Sequence, residues 1–249
     1  MESNEILDLY PQIELLEIRL GNDLVPLADP EQGGNLFDHI NRIRREIAAE
    51  MGVILPTIRI RDLSSLNSTL YQIKINEEPV ASGKVYPDLF LATDSGNAAN
   101  QKVVGIETTE PVFGIPALWI DAMVKDQAAN FGYVVVDPNS VIAMHLKKVV
   151  QENAVNLLTY ETTQCLIQEL GKTSPTLVEE ILRIMTVGQI RQVLRHLLRE
   201  QGSIRQLRTI LEILCDNFDQ IRNLTLLSEY TRLKLAEHNK VKKEKKCTA

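Results

Sequence analysis

The first half of this chain combines two patterns of hydrophobic and polar residues. Apolar side chains dominate residues 13–20, IELLEIRL, and predict a strand that ends at Gly21. Over residues 36–51 the apolar positions recur every three or four residues instead, which predicts a helix. Asn35 stands before that segment as a cap, and Gly52 follows it as a stop.

Two further strands are expected after that helix. Residues 57–62, TIRIRD, and residues 70–75, LYQIKI, alternate apolar with polar side chains, as half-buried strands do. The order strand, helix, strand, strand indicates a small sheet with a helix on one face. Residues 1–88 are therefore predicted to form a compact αβ unit.

A second unit is predicted over residues 89–137. Small polar residues around positions 94–100 indicate a loop, and VVGIETTE, residues 103–110, has the pattern of a strand after it. Residues 120–131 have the pattern of a short amphipathic helix, and YVVVD, residues 133–137, that of a buried strand.

The helix expected next, from residue 139 or 140 to about residue 158, is too long for a linker. We expect it to pack on the first unit and so to make that unit discontinuous. No strand pattern follows, and residues 159–237 are expected to form a small helical bundle.

Helix starts and stops are readable in that bundle. Ser174 before Pro175 has the order of a cap and a first helical proline. A helix over residues 187–201 is expected to end before Gly202 and to bury one apolar stripe. That stripe consists of Ile190, Val193, Leu194, Leu197 and Leu198.

The end of the chain carries two weaker signals. Ser203 and Gln206 have the spacing of a capping box for the next helix. Residues 238–249 contain the run KVKKEKK, which we expect to be a solvated, disordered basic tail. A contact with a membrane or a nucleic acid is the alternative interpretation of that tail.

Arginines recur along these helical segments, mostly off the apolar stripe. They are Arg191, Arg195, Arg199, Arg205 and Arg208. A solvated helix face explains most rows of this kind, and a docking surface for an acidic partner is the alternative.

Composition narrows the class of protein. The net charge of −6 dilutes 27 basic residues among 33 acidic ones, which argues against a nucleic-acid partner. The cysteines, Cys165, Cys215 and Cys247, are widely spaced, which indicates a reducing compartment and argues against a zinc site. No apolar run has the 18 residues typical of a membrane span, so the chain as given is expected to be soluble and cytoplasmic.

Candidate catalytic chemistry is sparse. The histidines, His39, His145, His196 and His238, have no serine, cysteine or carboxylate at a triad or metal-binding spacing. A phosphate-binding GxxxxGK motif is missing as well. We therefore expect no enzymatic activity, no catalytic residue, no metal site and no cofactor.

The central motifs are the most distinctive part of the chain. GIETTEPVFGIPALWID, residues 105–121, contains the only tryptophan, Trp119, which is expected in the core. Phe113 lies between Pro111 and Gly114, so its ring is either presented on a loop or buried as a core anchor. A second motif, YVVVDPNSVIAMHL, occupies residues 133–146.

These motifs, with IRQLRTILEIL at residues 204–214, resemble the cytoplasmic domain of the FHIPEP family. Its members are the major export gate proteins of type III secretion systems, in flagella and in virulence injectisomes. The resemblance covers about residues 13–235 and implies the cytoplasmic domain of a bacterial inner-membrane protein. The sequence ends before the fourth subdomain expected in that family.

The fold implied by the resemblance is α+β with three subdomains. The first is discontinuous, residues 1–88 with 138–158, and the second is inserted at residues 89–137. The third, residues 159–237, is helical, and the basic tail follows it at 238–249. In the full-length protein the domain is expected to join a nine-membered ring, whereas this chain is expected to be mainly monomeric in dilute solution.

The resemblance also implies partners and a site. The partners are export chaperones carrying their substrates, a gatekeeper, a stalk protein and other export-apparatus proteins. In the EPVFG segment, Glu110 and Phe113 match the family's chaperone-binding positions, and Met144 stands where flagellar members have a threonine. Met144 favours the injectisome branch. The alternative function is a regulatory protein-binding module unrelated to secretion.

Overall fold

The structure is a computed structural model that describes residues 14–94, 96 and 103–247. It consists of two compact units. The first takes in Met1–Ile43 and Pro56–Val149, and the second Arg44–Leu55 and Val150–Ala249. The finer division into three subdomains stays a prediction.

The first sheet of the first unit has four strands. They are β1 (Leu16–Leu20), β2 (Arg59–Asp62), β3 (Leu70–Ile75) and β4 (Glu78–Lys84). The spatial order is β2-β1-β3-β4, with β1 parallel to β2 and the other pairs antiparallel. Apolar side chains of β1 and β3 alternate inward and are buried, so the predicted strands are confirmed.

Strand β4 has no clear signal in the sequence, because most of its side chains are exposed and show no apolar alternation. It follows a tight turn at Asn76 and Glu77, both of which have positive φ angles. The pairing with β3 shifts register between Ile73 and Lys74, which marks a bulge or irregularity in the ladder.

The first 152 residues also contain several helices. Two of them lie between β1 and β2 in sequence, the short α1 (Val25–Ala28) and α2 (Leu36–Met51). The bounds of α2 are those predicted from the sequence, and Gly52 follows it with a φ of 76°. Helix α4 (Pro138–Glu152) begins close to the predicted residue 139, but a new short helix, α5 (Ala154–Leu157), starts before residue 158.

A second four-stranded sheet is fully antiparallel. Its strands are β5 (Leu89–Asp94), β6 (Ile106–Thr109), β7 (Pro116–Asp121) and β8 (Tyr133–Val136), in the order β6-β7-β5-β8. Helix α3 (Lys125–Asn130) contributes Ala128 to a buried cluster with Ala92 and Ile120. The loop predicted around 94–100 lies largely outside the described residues.

The helix predicted over residues 120–131 is partly wrong. Residues 120 and 121 belong to β7, where Ile120 pairs with Phe90 of β5. Asp121 accepts a hydrogen bond from the Met123 amide at 2.8 Å, which starts a 3-10 turn before α3. Trp119 is buried, as predicted, with its ring 5.8 Å from that of Tyr86.

The second unit is helical. Its remaining helices are α6 (Tyr160–Gly171), α7 (Pro175–Ile184), α8 (Val187–Gln201), α9 (Leu207–Asn217) and α10 (Leu224–Cys247). A capping box between Thr186 and Gln189 opens α8, and Gly202, with a φ of 70°, closes it. Within the described ranges, none of the helices is both long and apolar enough to span a bilayer.

Two expectations for this unit are wrong. Ser203 and Gln206 form no capping box. The Ser203 hydroxyl donates to the Glu50 carbonyl, and the side-chain amide of Gln206 donates to the side-chain oxygen of Asn239. The tail is helical rather than disordered up to Cys247, since α10 continues through it. Lysine and glutamate are good helix formers, and this allows a charged run to extend a helix.

The apolar stripe of α8 gives a test of the packing. Leu194 is fully buried with Val193, Leu197 and Ile210. We expect Leu194→Ala to lower the free energy of unfolding by about 2–5 kcal/mol, through lost burial and the cavity left behind. Urea denaturation measures this change. Leu226→Ala on α10 is the control, because Leu226 is 62% exposed; equal midpoints for both variants would contradict this packing.

Candidate protein-binding site

The loop between β6 and β7 has a fixed backbone. The Glu110 amide donates to the Ile115 carbonyl at 2.8 Å, and the Gly114 amide donates back to the Glu110 carbonyl at 3.0 Å. Gly114 has a φ of 70°, in the left-handed region that glycine adopts without strain. The loop therefore continues the ladder of the hairpin and ends it in a tight turn.

The Glu110 side chain holds this loop through hydrogen bonds to two of its backbone amides. It is only 3% exposed, and its two carboxylate oxygens accept hydrogen bonds from the Val112 and Phe113 amides at 2.8 and 2.7 Å. Hydrogen bonds to an ionised acceptor are shorter and stronger than neutral ones. The visible role of Glu110 is thus to position the loop, and its contact with a partner stays a prediction.

Phe113 projects from that loop. Its side chain is 75% exposed, so burial as a core anchor is wrong and presentation on a loop is confirmed. Aromatic side chains bury about 150–250 Å² when covered, which makes an exposed ring a strong attachment point for another protein. The hydrogen bond from the Phe113 amide to Glu110 holds the backbone that carries this ring.

Other apolar side chains of the same hairpin are exposed too. They are Val104, Ile106 and Ile115. Ile115 lies in the same loop as Phe113, whereas Ile106 and Val104 lie at the other end of β6. No pattern in the sequence predicts that these three apolar side chains are exposed.

Met144 lies on α4 and is 37% exposed. The residue after it, His145, is buried, and its Nδ1 lies 2.7 Å from the Tyr71 hydroxyl of β3. Burial, and in smaller part the charge of Glu110, raises the pKa of the Tyr71 phenol well above its usual range. The helix that carries Met144 is therefore held to the first sheet through the buried Tyr71 and His145.

Sequence reasoning missed Tyr71 as part of this arrangement. Its hydroxyl lies against Gly83 of β4, where an added Cβ atom would come within 2.4 Å of it. His145 is buried against this phenol, which makes it a structural histidine. Because Tyr71 and His145 are 74 positions apart, no local pattern could have paired them.

A serine, a histidine and an aspartate also meet in the first unit. The Ser140 hydroxyl donates to Asp137 at 2.6 Å, and His39 Nδ1 lies 3.3 Å from the same hydroxyl. In a catalytic triad the histidine lies between the other two and receives the serine proton. Here the serine proton is directed to the aspartate, which also accepts from the Ser140 amide at 2.9 Å.

The pKa of Asp137 reflects this capping role. Burial alone would raise the pKa of Asp137. The hydrogen bonds from the hydroxyl and the amide of Ser140, together with His39, outweigh burial and leave this pKa below its usual range. Asp137 thus serves as the cap of α4. Among the described residues, no group of three or more histidine, cysteine, aspartate or glutamate side chains is placed to hold a metal ion.

Comparison with known proteins gives consistent matches. A model described as the FHIPEP family matches residues 2–246. The flagellar biosynthesis protein FlhA of Helicobacter pylori is 41% identical over 236 residues, which are 94% of this chain and 32% of the relative. FlhA of Bacillus subtilis is 43% identical over 226 residues, 90% of this chain and 33% of the relative. The chain thus spans about a third of the length of these relatives.

Solved structures share the fold. The CdsV protein of Chlamydia pneumoniae superimposes with a TM-score of 0.77 at 26% identity, over 90% of this chain and 66% of that one. The same protein in complex with CdsO gives a TM-score of 0.76, over 90% of this chain and 65% of that one. The nonameric EscV cytosolic domain from a type III secretion system gives 0.67 at 22% identity, over 92% and 66%.

The support of the loop by Glu110 can be tested directly. Glu110→Ala leaves the Val112 and Phe113 amides without their acceptor, so we expect a loss of about 1–3 kcal/mol in the free energy of unfolding. Amide hydrogen exchange should speed up most at these two residues. Glu107→Ala is the matched control, because Glu107 is an exposed glutamate of the same hairpin. Unchanged exchange at Val112 and Phe113 would show that the carboxylate does not hold the loop.

Proposed function

Because this chain belongs to the FHIPEP family of type III secretion export gate proteins, we propose that it docks secretion partners at the cytoplasmic face of a bacterial inner membrane. The partners are export chaperones with their substrates, a gatekeeper and a stalk protein. The observation that carries the proposal is the exposed Phe113 ring on a loop held by the buried Glu110 carboxylate.

The energetics of the loop support a docking role. A few buried aromatic anchors supply most of the binding energy in typical interfaces. An anchor whose backbone is already fixed loses little conformational entropy on binding, so more of its burial contributes to affinity. Ile115 of the same loop is a second exposed apolar residue.

Two solved structures support the wider set of partners. CdsV forms a complex with CdsO, and the EscV cytosolic domain is nonameric. By analogy, this chain binds a further export-apparatus protein and joins a ring in the full-length protein. As an isolated chain it is expected to be mainly monomeric in dilute solution, which light scattering measures.

The branch of the family determines the cargo. Met144 predicts the injectisome branch, whereas the two FlhA relatives are flagellar proteins. The injectisome assignment stays a prediction. Binding of this chain to flagellar chaperones and to injectisome chaperones, compared side by side, decides between the two.

The proposed role requires no catalysis by this chain. The serine beside His39 directs its proton to Asp137, so that hydroxyl is not activated as a nucleophile. We expect no turnover of ester or phosphoester substrates. A reproducible turnover that Ser140→Ala or His39→Ala abolishes would contradict this role.

The docking role of Phe113 is tested on one variant with two measurements. Phe113→Ala should weaken binding of a cognate chaperone–substrate complex by about 2 kcal/mol or more, because an anchor is lost. Its thermal midpoint should stay close to that of the unmodified chain, because the ring is exposed in the free protein. Calorimetry gives both values.

Met123→Ala is the matched control, because Met123 is an apolar residue of the same unit and is 93% exposed. We expect normal affinity from it. A loss of stability in Phe113→Ala with unaltered affinity, or equal weakening by both variants, would reject Phe113 as a contact residue.

A further inference from the structure

A groove in the second unit is lined by arginines. It has a volume of about 530 Å³, and one wall consists of the α8 residues Arg191, Arg195 and Arg199. These residues are four positions apart, so successive guanidinium groups start about 6 Å apart along the helix. Among the described residues that line the groove, none is acidic.

None of these three arginines is neutralised by an ion pair within the described part of the unit. Other arginines of the unit form ion pairs, as Arg208 does with Glu212 and Arg232 does with Glu229. Arg191, Arg195 and Arg199 have no such ion-pair contact among the described residues. A row of unpaired guanidinium groups in a chain of net charge −6 is a local positive site.

Arg191 is held in a defined orientation. Its guanidinium carbon lies 4.1 Å from the ring centre of Tyr160, a cation–π contact. Tyr160 can lie this close to α8 because Gly188 has no side chain, and a Cβ atom there would be 2.5 Å from the tyrosine hydroxyl. The ring orders the arginine without neutralising its charge.

One carboxylate outside the groove, that of Glu161, interacts electrostatically with Arg191. Glu161 lies in the first turn of α6, next to Tyr160 in the chain. Hydrogen bonding at the start of α6 is the main cause that lowers the pKa of Glu161, and the charge of Arg191 adds a smaller effect. Glu161 is thus an electrostatic neighbour of Arg191 and does not line the groove.

The opposite wall provides no neutralising charge either. It comes from the first turns of α10, with Leu224, Thr225 and Ser228. His196, which also lines the groove, lies 2.8 Å from Glu229, and Glu229 accepts from Arg232 as well. That carboxylate is therefore engaged by two other side chains.

We propose that this groove binds an acidic peptide segment of a partner protein, one whose carboxylates repeat about every 6 Å, the axial rise of four helical residues. Guanidinium groups bind carboxylates through paired hydrogen bonds, and three in a row match a row of acids. Apart from the lysine run at residues 240–246, the other basic residues of the chain are interspersed with acidic ones, which disfavours an extended nucleic-acid track. The site is separate from the Phe113 loop and extends the proposed function.

The probe is a fluorescently labelled, alanine-based helical peptide with three glutamates spaced four residues apart. Fluorescence anisotropy with the full chain should show binding that weakens as sodium chloride is raised, because salt screens the charges. Each of Arg191→Gln, Arg195→Gln and Arg199→Gln should weaken binding about threefold, as exposed ion pairs do. The triple variant should lose more than tenfold.

Controls separate this geometry from general charge attraction. Arg183→Gln removes the same charge from an exposed arginine of the same unit that is outside the groove, and it should bind as the unmodified chain does. Arg195→Lys keeps the positive charge but loses the paired hydrogen bonds of the guanidinium group. Its affinity for the peptide should therefore lie between those of the unmodified chain and Arg195→Gln. A peptide with glutamine in place of glutamate should not bind. The thermal unfolding midpoints of all variants should equal that of the unmodified chain, because the substitutions leave the fold intact.

Several results would overturn the proposal. They are an absence of binding at millimolar peptide, equal binding by the unmodified chain and the triple variant, or equal loss in Arg183→Gln and Arg195→Gln. Tighter, arginine-dependent binding of a single-stranded oligonucleotide would assign the groove to nucleic acid. A change of oligomeric state in the triple variant with unaltered peptide affinity would assign it to contacts between copies.

Discussion

The buried hydrogen bond between Tyr71 and His145 is the interaction that ties the first sheet to the helix carrying Met144. It joins a central strand of the first sheet to α4, across 74 residues of sequence. The same phenol lies within the electrostatic influence of Glu110, at the base of the exposed loop. A tyrosine phenol with its ordinary pKa of about 10 is already protonated at neutral pH, and burial raises the pKa further, so ionisation does not break the link.

The buried Glu110 carboxylate explains how the exposed loop obtains a fixed position. A loop of a few residues has little apolar surface of its own to bury, and mobility would be its ordinary state. Here a buried carboxylate holds the loop by two backbone amides. The exposed ring is thereby carried by residues that belong to the core.

Sequence patterns predict the elements whose burial follows one period. The stripe of α8 and the bounds of α2 follow from helical spacing, and the alternation in β3 indicates a strand. The end of β7 has a helical pattern instead, because Ile120 is compatible with either period and only the pairing with Phe90 decides between them. The side chain of Ser203 likewise has two possible acceptors, and it bonds to the distant carbonyl of Glu50.

The site is less predictable than the fold. A family motif selects both Glu110 and Phe113. Only the structure shows that Glu110 is buried and Phe113 is exposed. The contacts of Tyr71 with His145 and Gly83 depend on three elements meeting in space, which a linear pattern does not contain. The unpaired state of the α8 arginines also appears only when the neighbouring carboxylates have been located.

The polar character that conceals β4 in the sequence has a consequence for crowded assemblies. This strand forms an outer edge of its sheet, and a free edge is a template on which a second chain can add a strand. Pro79 has no amide hydrogen to offer such a neighbour, and the irregular register near Lys74 distorts the ladder further. Where many copies are held at high local concentration, an edge of this kind keeps adjacent molecules from fusing their sheets into aggregates.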